Sequence, residues 1–177
     1  ALCEKTGANI EEVSKATGMD SRIGSSFLKA SIGFGGSCFK KDILNLVYIA
    51  GHYGLDEVAD YWESVIKINN YQTNRLGKKI IEILKSEAQE KQVTILGWAF
   101  KKDTNDTRES AAIYVVDYLL NEQAEVAVYD PKVKAEQIYA DLDYLNTRQE
   151  AENRARVTIV NSAPEVAEKA HAIAVLT

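Results

Sequence analysis

From Asp56 to Leu84 the chain runs without a proline, and Val58, Trp62, Val65, Ile66, Asn69, Leu76, Ile80 and Ile83 keep a helical period around a single internal Gly77. This predicts one helix of unusual length. Helices longer than about 25 residues usually connect domains or join subunits, because one small core cannot cover so long a stripe. The chain should therefore be organised in two halves about this helix. Before it, Asn9-Ile10-Glu11-Glu12 has the spacing of a helix start, with Asn9 capping, Glu12 returning a hydrogen bond and Gly18 ending the helix. From Phe39 to about Tyr53, Ile43, Leu46, Val47 and Ala50 mark a second helix packed on one face. After Gln92 the pattern changes. Val93 to Gly97, a helix from about Ser110 to Asn121, and Glu125 to Pro131 form a strand-helix-strand unit of parallel type. Val157 to Val160 and Ala172 to Leu176 add two short strands separated by a helix starting near Pro164. The second half thus reads as an open α/β sheet, incomplete at its end. Residues 132–156 are charged and without clear period, and read as a surface excursion that carries no chemistry.

With 177 residues and 46% hydrophobic content the chain can bury a substantial core, as one domain or two small ones. The net charge of -5 is made of interspersed acids and bases, which argues against a nucleic acid or an anionic membrane as partner. Cys3 and Cys38 suit neither a disulfide framework nor a metal pair, and read as reduced thiols of a cytoplasmic protein. His52 and His171 stand alone, so no metal site is expected. Trp62 and the tyrosines of the long helix read as core. No signal peptide or membrane-spanning apolar run is present. The opening Ala1-Leu2-Cys3-Glu4-Lys5 reads as the tail of a helix and the last residues as an interrupted strand, the pattern of a piece of a longer protein.

The densest signal is Lys29-Ala30-Ser31-Ile32-Gly33-Phe34-Gly35-Gly36-Ser37-Cys38-Phe39-Lys40-Lys41-Asp42. Its three glycines permit positive φ and close approach of the backbone to a phosphate or sugar. Cys38 falls at a helix start, where the dipole and free N–H groups favour a nucleophilic sulfur and Lys40 and Lys41 add positive potential. Asp42 lies one helical turn on, close enough to position or deprotonate a water attacking a group carried by Cys38. A glycine-rich turn, a cysteine packed as a small apolar residue and an aspartate favouring the dipole would share this spelling, and spacing alone leaves both readings open.

The second signal, Gly97 to Ser110, sits at the carboxyl end of the first strand, where open α/β sheets bind ligands. It offers one glycine where a dinucleotide fold shows G-x-G-x-x-G, so a nucleotide other than NAD fits it better. Lys101, Lys102 and Arg108 can meet phosphate and Phe100 can stack on a ring, although a solvated loop with Thr107 or Ser110 as a helix cap is equally compatible. Asp130 ends the second strand where ribose-binding acids often sit, but Asp-Pro is also a common turn, and the turn is the reading taken.

Together, Phe27 to Asp42 and Gly97 to Ser110 closely resemble the UDP-glucose dehydrogenases of the UDP-glucose/GDP-mannose dehydrogenase family, especially the eukaryotic type, and the resemblance weakens only over residues 132–156. It implies an α + α/β chain: a helical central dimerisation domain over residues 1–84, and a Rossmann-like UDP-binding domain over 92–177, incomplete at its end. It further implies that Cys38 is the nucleophile and Asp42 the acid that handles water. By resemblance Phe27, Lys29, Ala30, Ser31, Ile32, Gly33, Phe34, Gly35, Phe100 and Lys101 contact substrate, Arg22 reaches the substrate of a neighbouring subunit, and Ser37 and Arg108 touch NAD. The implied reaction takes UDP-glucose to UDP-glucuronate with two NAD, through a thiohemiacetal and a thioester on the cysteine. The implied partners are UDP-glucose and a second copy of the chain in a homodimer, from which a larger assembly could be built. The family's NAD domain, acid/base glutamate, lysine and asparagine should precede Ala1, and a substrate arginine should follow Thr177, so the chain alone should bind NAD poorly and turn over little. A GDP-mannose or UDP-N-acetyl-hexosamine dehydrogenase, or a non-catalytic nucleotide-sugar-binding module, are the other readings.

Overall fold

The computed structural model describes residues 1–84, 91–164 and 169–177. Its elements are α1 (Leu2–Thr6), α2 (Ile10–Gly18), α3 (Phe39–His52), α4 (Asp56–Ile83), β1 (Gln92–Leu96), α5 (Ala111–Asn121), β2 (Glu125–Tyr129), α6 (Ala135–Tyr144), α7 (Glu150–Arg156), β3 (Val157–Ile159) and β4 (Ala172–Val175). Contacts gather the chain into two compact units, Ala1–Ile32 and Gly33–Thr177.

In the first unit, Asn9 caps α2 as predicted, its Oδ1 accepting the Glu11 N–H at 2.9 Å. Gly18 is the last helical residue, but its role is steric: a Cβ there would stand 3.0 Å from the Ser25 Cα.

In the second unit α4 is a single helix of 28 residues. It packs against both α3 and α5. Ile66, Thr73, Gly77 and Ile80 form its buried stripe, and Leu84 behind it is buried too. Gly77 explains itself at the crossing with α5, where a Cβ would lie 2.6 Å from Tyr118 Cδ1. The helix cost of a glycine, about 1 kcal/mol against alanine, is thereby traded for close approach of two backbones. Trp62 is half-buried, whereas Tyr61 and Tyr71, read from the sequence as core, are 64% and 54% exposed. On α3 the predicted stripe holds at Ile43 and Ala50, but Leu46 joins Leu44, Tyr48 and Ile49 on the exposed side.

The sheet is parallel throughout, in the order β3-β2-β1-β4. Val93, Thr94 and Ile95 of β1 and Val126, Ala127 and Val128 of β2 are buried in succession, as central strands covered on both faces must be. Register pairs Val93 with Val126 on one side and with Ala172 on the other. Ser110 caps α5, whose buried residues run nearly around the helix, from Ala111 to Leu120. The switch from β2 to β4 as neighbour of β1 opens a crevice at the strand ends, where Gly97, Asp130 and Thr177 line a cavity of about 280 Å³.

Residues 132–156 depart from the sequence reading of a surface excursion, because they fold into α6 and α7. Ile138 and Leu142, one turn apart, are their main apolar anchors, and the rest of the attachment is polar. Tyr139 donates to the Val157 carbonyl at 2.9 Å, and Arg148, its side chain 6% exposed, pairs with Asp117. So few apolar positions leave almost no helical period to read. The helix predicted near Pro164 lies, beyond that residue, outside the described residues.

Candidate active site

Cys38 is the N-cap residue of α3, with φ -104° and no side-chain capping bond. It is exposed, and its sulfur stands 3.5 Å from Ser37 Oγ. A 14-residue helix begins behind it, so the sulfur sits at the positive end of the helix dipole. Asp42 follows one turn on, its N–H donating to the Cys38 carbonyl at 2.8 Å, and is also exposed.

Three sets of contacts hold the loop that delivers Cys38. Asn69 of α4 grips Phe34 by both amide atoms, accepting its N–H at 2.8 Å and donating to its carbonyl at 3.1 Å. Gly36, at φ +91, donates its N–H to the Arg108 carbonyl at 2.8 Å. At Gly35 any Cβ would collide with the Glu109 carbonyl oxygen, and at Gly36 it would stand 3.0 Å from Phe100 Cε2. The glycines therefore let the loop lie directly against residues 100–109.

Those residues carry the second motif. The half-buried Phe100 packs its ring on Gly36 and donates its N–H to Asp106 at 3.0 Å; Lys101 Nζ stands 5.2 Å from the centre of that ring. Asp106 binds Arg108 through three hydrogen bonds, to its backbone N at 3.1 Å, Nε at 2.9 Å and Nη2 at 2.7 Å. Held this way, the Asp106 carboxyl lies below the usual carboxylate range and the Arg108 guanidinium above its ordinary value, with a smaller contribution from Cys38. In the first unit Asp20 binds Arg22 through the same three atoms, at 2.9, 3.0 and 2.6 Å.

Ser37, Cys38, Lys41 and Arg108 share a pocket of about 610 Å³, with Asp141 and Tyr144 of α6 on another wall. Lys40 is not part of the cationic surround predicted for Cys38. Its Nζ is bound to Glu109 Oε2 at 2.7 Å, so Lys41 and Arg108 are the cations that line the pocket. The structure thus brings together Gly33, Phe34, Gly35, Ser37, Cys38, Asp42, Phe100, Lys101 and Arg108 in one unit. Arg22, Phe27, Lys29, Ala30, Ser31 and Ile32 belong to the other, where Phe27 is fully exposed at φ +61. Asp130 is structural: its two oxygens accept the N–H groups of Trp98, Ala99, Lys132 and Val133 at 2.7 to 3.1 Å.

Sequence reasoning passes over Asn69, Glu109 and Asp141. Asn69 left a signal, a polar residue in the period of an apolar stripe. Asp141, which accepts the Trp98 Nε1–H at 2.8 Å, and Glu109, which accepts Lys40 Nζ, left none, because Trp98 and Lys40 are distant from them in sequence. Among the described residues no group of three or more His, Cys, Asp or Glu could hold a metal, and no helix is long and apolar enough to cross a membrane.

Two family models match: the central domain of the UDP-glucose/GDP-mannose dehydrogenase family over residues 1–71, and the UDP-binding domain of the same family over residues 94–177. The UDP-glucose 6-dehydrogenases of Bos taurus and Drosophila melanogaster are each 51% identical over the whole chain, which spans 36% and 37% of their lengths. A UDP-glucose dehydrogenase structure from Pyrobaculum islandicum superposes with a TM-score of 0.83 at 30% identity, over 99% of this chain and 37% of that one. With two consecutive domains of one family matched in order, and a helical region leading into a parallel, Rossmann-like sheet, the chain belongs to the UDP-glucose/GDP-mannose dehydrogenase family.

Proposed function

We propose that this chain is the central and C-terminal part of an NAD-dependent UDP-glucose 6-dehydrogenase, with residues 1–84 as a helical dimerisation domain and 92–177 as the UDP-binding domain. The observation that carries the reading is Cys38: an exposed thiol at a helix start, in a pocket that also holds Arg108 and Ser37. The identity to proteins bearing that name extends over the entire chain.

Cys38 is the nucleophile. Its sulfur adds to the carbon of a sugar aldehyde, the thiol proton passing to the carbonyl oxygen, and the resulting sp3 carbon can surrender a hydride where a free aldehyde cannot. Asp42, one turn away, positions the water that cleaves the thioester and returns the thiol. The residues present fit the end of an anionic cofactor, since Arg108 offers an exposed guanidinium and Ser37 a hydroxyl on the pocket wall beside Cys38. Bound NAD supplies the hydride acceptor, twice per alcohol oxidised to acid. Lys101, Phe100 and the loop Gly33–Gly35 meet the nucleotide sugar, together with Phe27, Lys29, Ala30, Ser31 and Ile32, while Arg22 serves a neighbouring subunit. The exposed apolar residues of α3 and α4, Leu46, Tyr48, Ile49, Ile68 and Tyr71 among them, form the homodimer face.

The test is the stoichiometry of the full-length protein. Two NADH per UDP-glucose, none from GDP-mannose, and loss of turnover in Cys38→Ser are expected. Oxidation undiminished in Cys38→Ser would remove the covalent mechanism, and no oxidation of UDP-glucose would remove the substrate.

A further inference from the structure

Glu109 joins two helices through one oxygen. Its Oε2 accepts Lys40 Nζ at 2.7 Å from the first turn of α3, and the Tyr114 hydroxyl at 2.6 Å from the first turn of α5. Lys40 also lies 5.5 Å from the centre of the Tyr114 ring. Its main chain meets the glycine loop as well: the Glu109 carbonyl occupies the space beside Gly35, and the preceding carbonyl, that of Arg108, accepts the Gly36 N–H. To make these contacts Glu109 adopts φ +53, a conformation a side-chain-bearing residue avoids without compensation.

The arrangement runs against local preference in a second respect. Lys40 is a cation within the first turn of a helix, where the dipole disfavours positive charge. Glu109 offsets that cost. Burial alone would lower the lysine, yet the bond to Glu109 leaves it above its ordinary value, and burial alone would raise Glu109, yet Lys40 and Tyr114 leave it below. Glu109 and Tyr114 line both the Cys38 pocket and a cavity of about 250 Å³ bounded by Asn69 and Thr73.

We infer that Glu109, acting through Lys40 and Tyr114, is a positioning residue: it ties the first turn of the Cys38 helix to the loop bearing Arg108, so that the nucleophile and the cofactor-facing guanidinium keep a fixed spacing across one pocket. The inference rests on the function proposed above for those two side chains. Placement of a nucleophile to within about 1 Å is worth up to a hundredfold in rate. A tie of this kind should therefore govern kcat more than the KM for the nucleotide sugar.

The experiment uses the full-length protein with Glu109→Gln, which keeps the shape and removes the charge, and Tyr114→Phe as a milder companion. Hydrogen exchange of residues 33–42 reads the tie without any substrate. Glu109→Gln should accelerate it about tenfold, with α4 and the sheet unchanged. In steady-state kinetics Glu109→Gln should lower kcat by about ten- to a hundredfold with the KM for UDP-glucose nearly constant, and Tyr114→Phe should show the same pattern more weakly. Adding Lys40→Met to Glu109→Gln should cost little more, as for two ends of one link. Unchanged exchange over residues 33–42 in either folded variant would overturn the inference, as would wild-type kcat in Glu109→Gln. A parent protein that does not oxidise UDP-glucose would instead defeat the proposed function and leave the exchange result standing.

Discussion

Asp130 shows how a single carboxylate can set the geometry of the loops that follow two neighbouring strands. It accepts two N–H groups from Trp98 and Ala99, just past β1, and two from Lys132 and Val133, just past β2. Burial would raise its carboxyl, but the four donors outweigh burial and hold it below the ordinary range. A depressed carboxyl contributes stability that is present above its unfolded value and lost as the pH falls through the folded one. Asp130→Asn, which replaces one acceptor oxygen by a donor, should therefore lower stability by about 2 kcal/mol at neutral pH. That difference should shrink below about pH 4, as the wild-type carboxyl protonates. Urea unfolding of both proteins across pH would measure it, and a pH-independent difference would assign the effect to shape alone.

At the scale of elements, α4 is held where glycine and asparagine interrupt its apolar stripe. Gly77 admits Tyr118 of α5, so Gly77→Ala places a methyl group against that ring. Helix propensity alone favours alanine by about 1 kcal/mol, whereas overpacking costs about 1 to 3 kcal/mol, so the net change should be destabilising. Thermal unfolding of Gly77→Ala, with Tyr118→Ala added to relieve the clash, would check this; the second change should make the alanine at 77 neutral or favourable. The extent of α3, α4, β1, α5 and β2 was legible because each is bounded by capping or period changes and carries a continuous apolar signal. α6 and α7 were not, because Ile138 and Leu142 are nearly their only apolar anchors and Arg148, Asn153 and Tyr139 attach them through polar contacts made over long separations. The same limit applies at the site. Cys38, Asp42 and Arg108 stand in motifs that announce them, whereas the partnership of Lys40 with Glu109 spans two motifs and reversed the expectation that Lys40 faces the thiol.

At the scale of the molecule, the chain spans 36% of the length of its relative from Bos taurus and contains no G-x-G-x-x-G. An isolated protein of these 177 residues should therefore bind NAD more weakly than about 1 mM and release no NADH from UDP-glucose. Calorimetric titration with NAD, followed by a turnover assay, would decide; saturable NAD binding in the micromolar range would show that the sheet of β1 to β4 accepts a dinucleotide by itself.

Along α4, Asn69 grips the loop that bears Cys38 and Gly77 seats the helix on α5. The rise of an α-helix separates these two grips by about 12 Å. The helix thus works as a caliper between the loop of Cys38 and the sheet. Substitutions on its solvent side leave that gauge intact, but one residue inserted or deleted between positions 69 and 77 would turn one jaw by about 100° relative to the other. Length, more than identity, is what descent must preserve in this stretch.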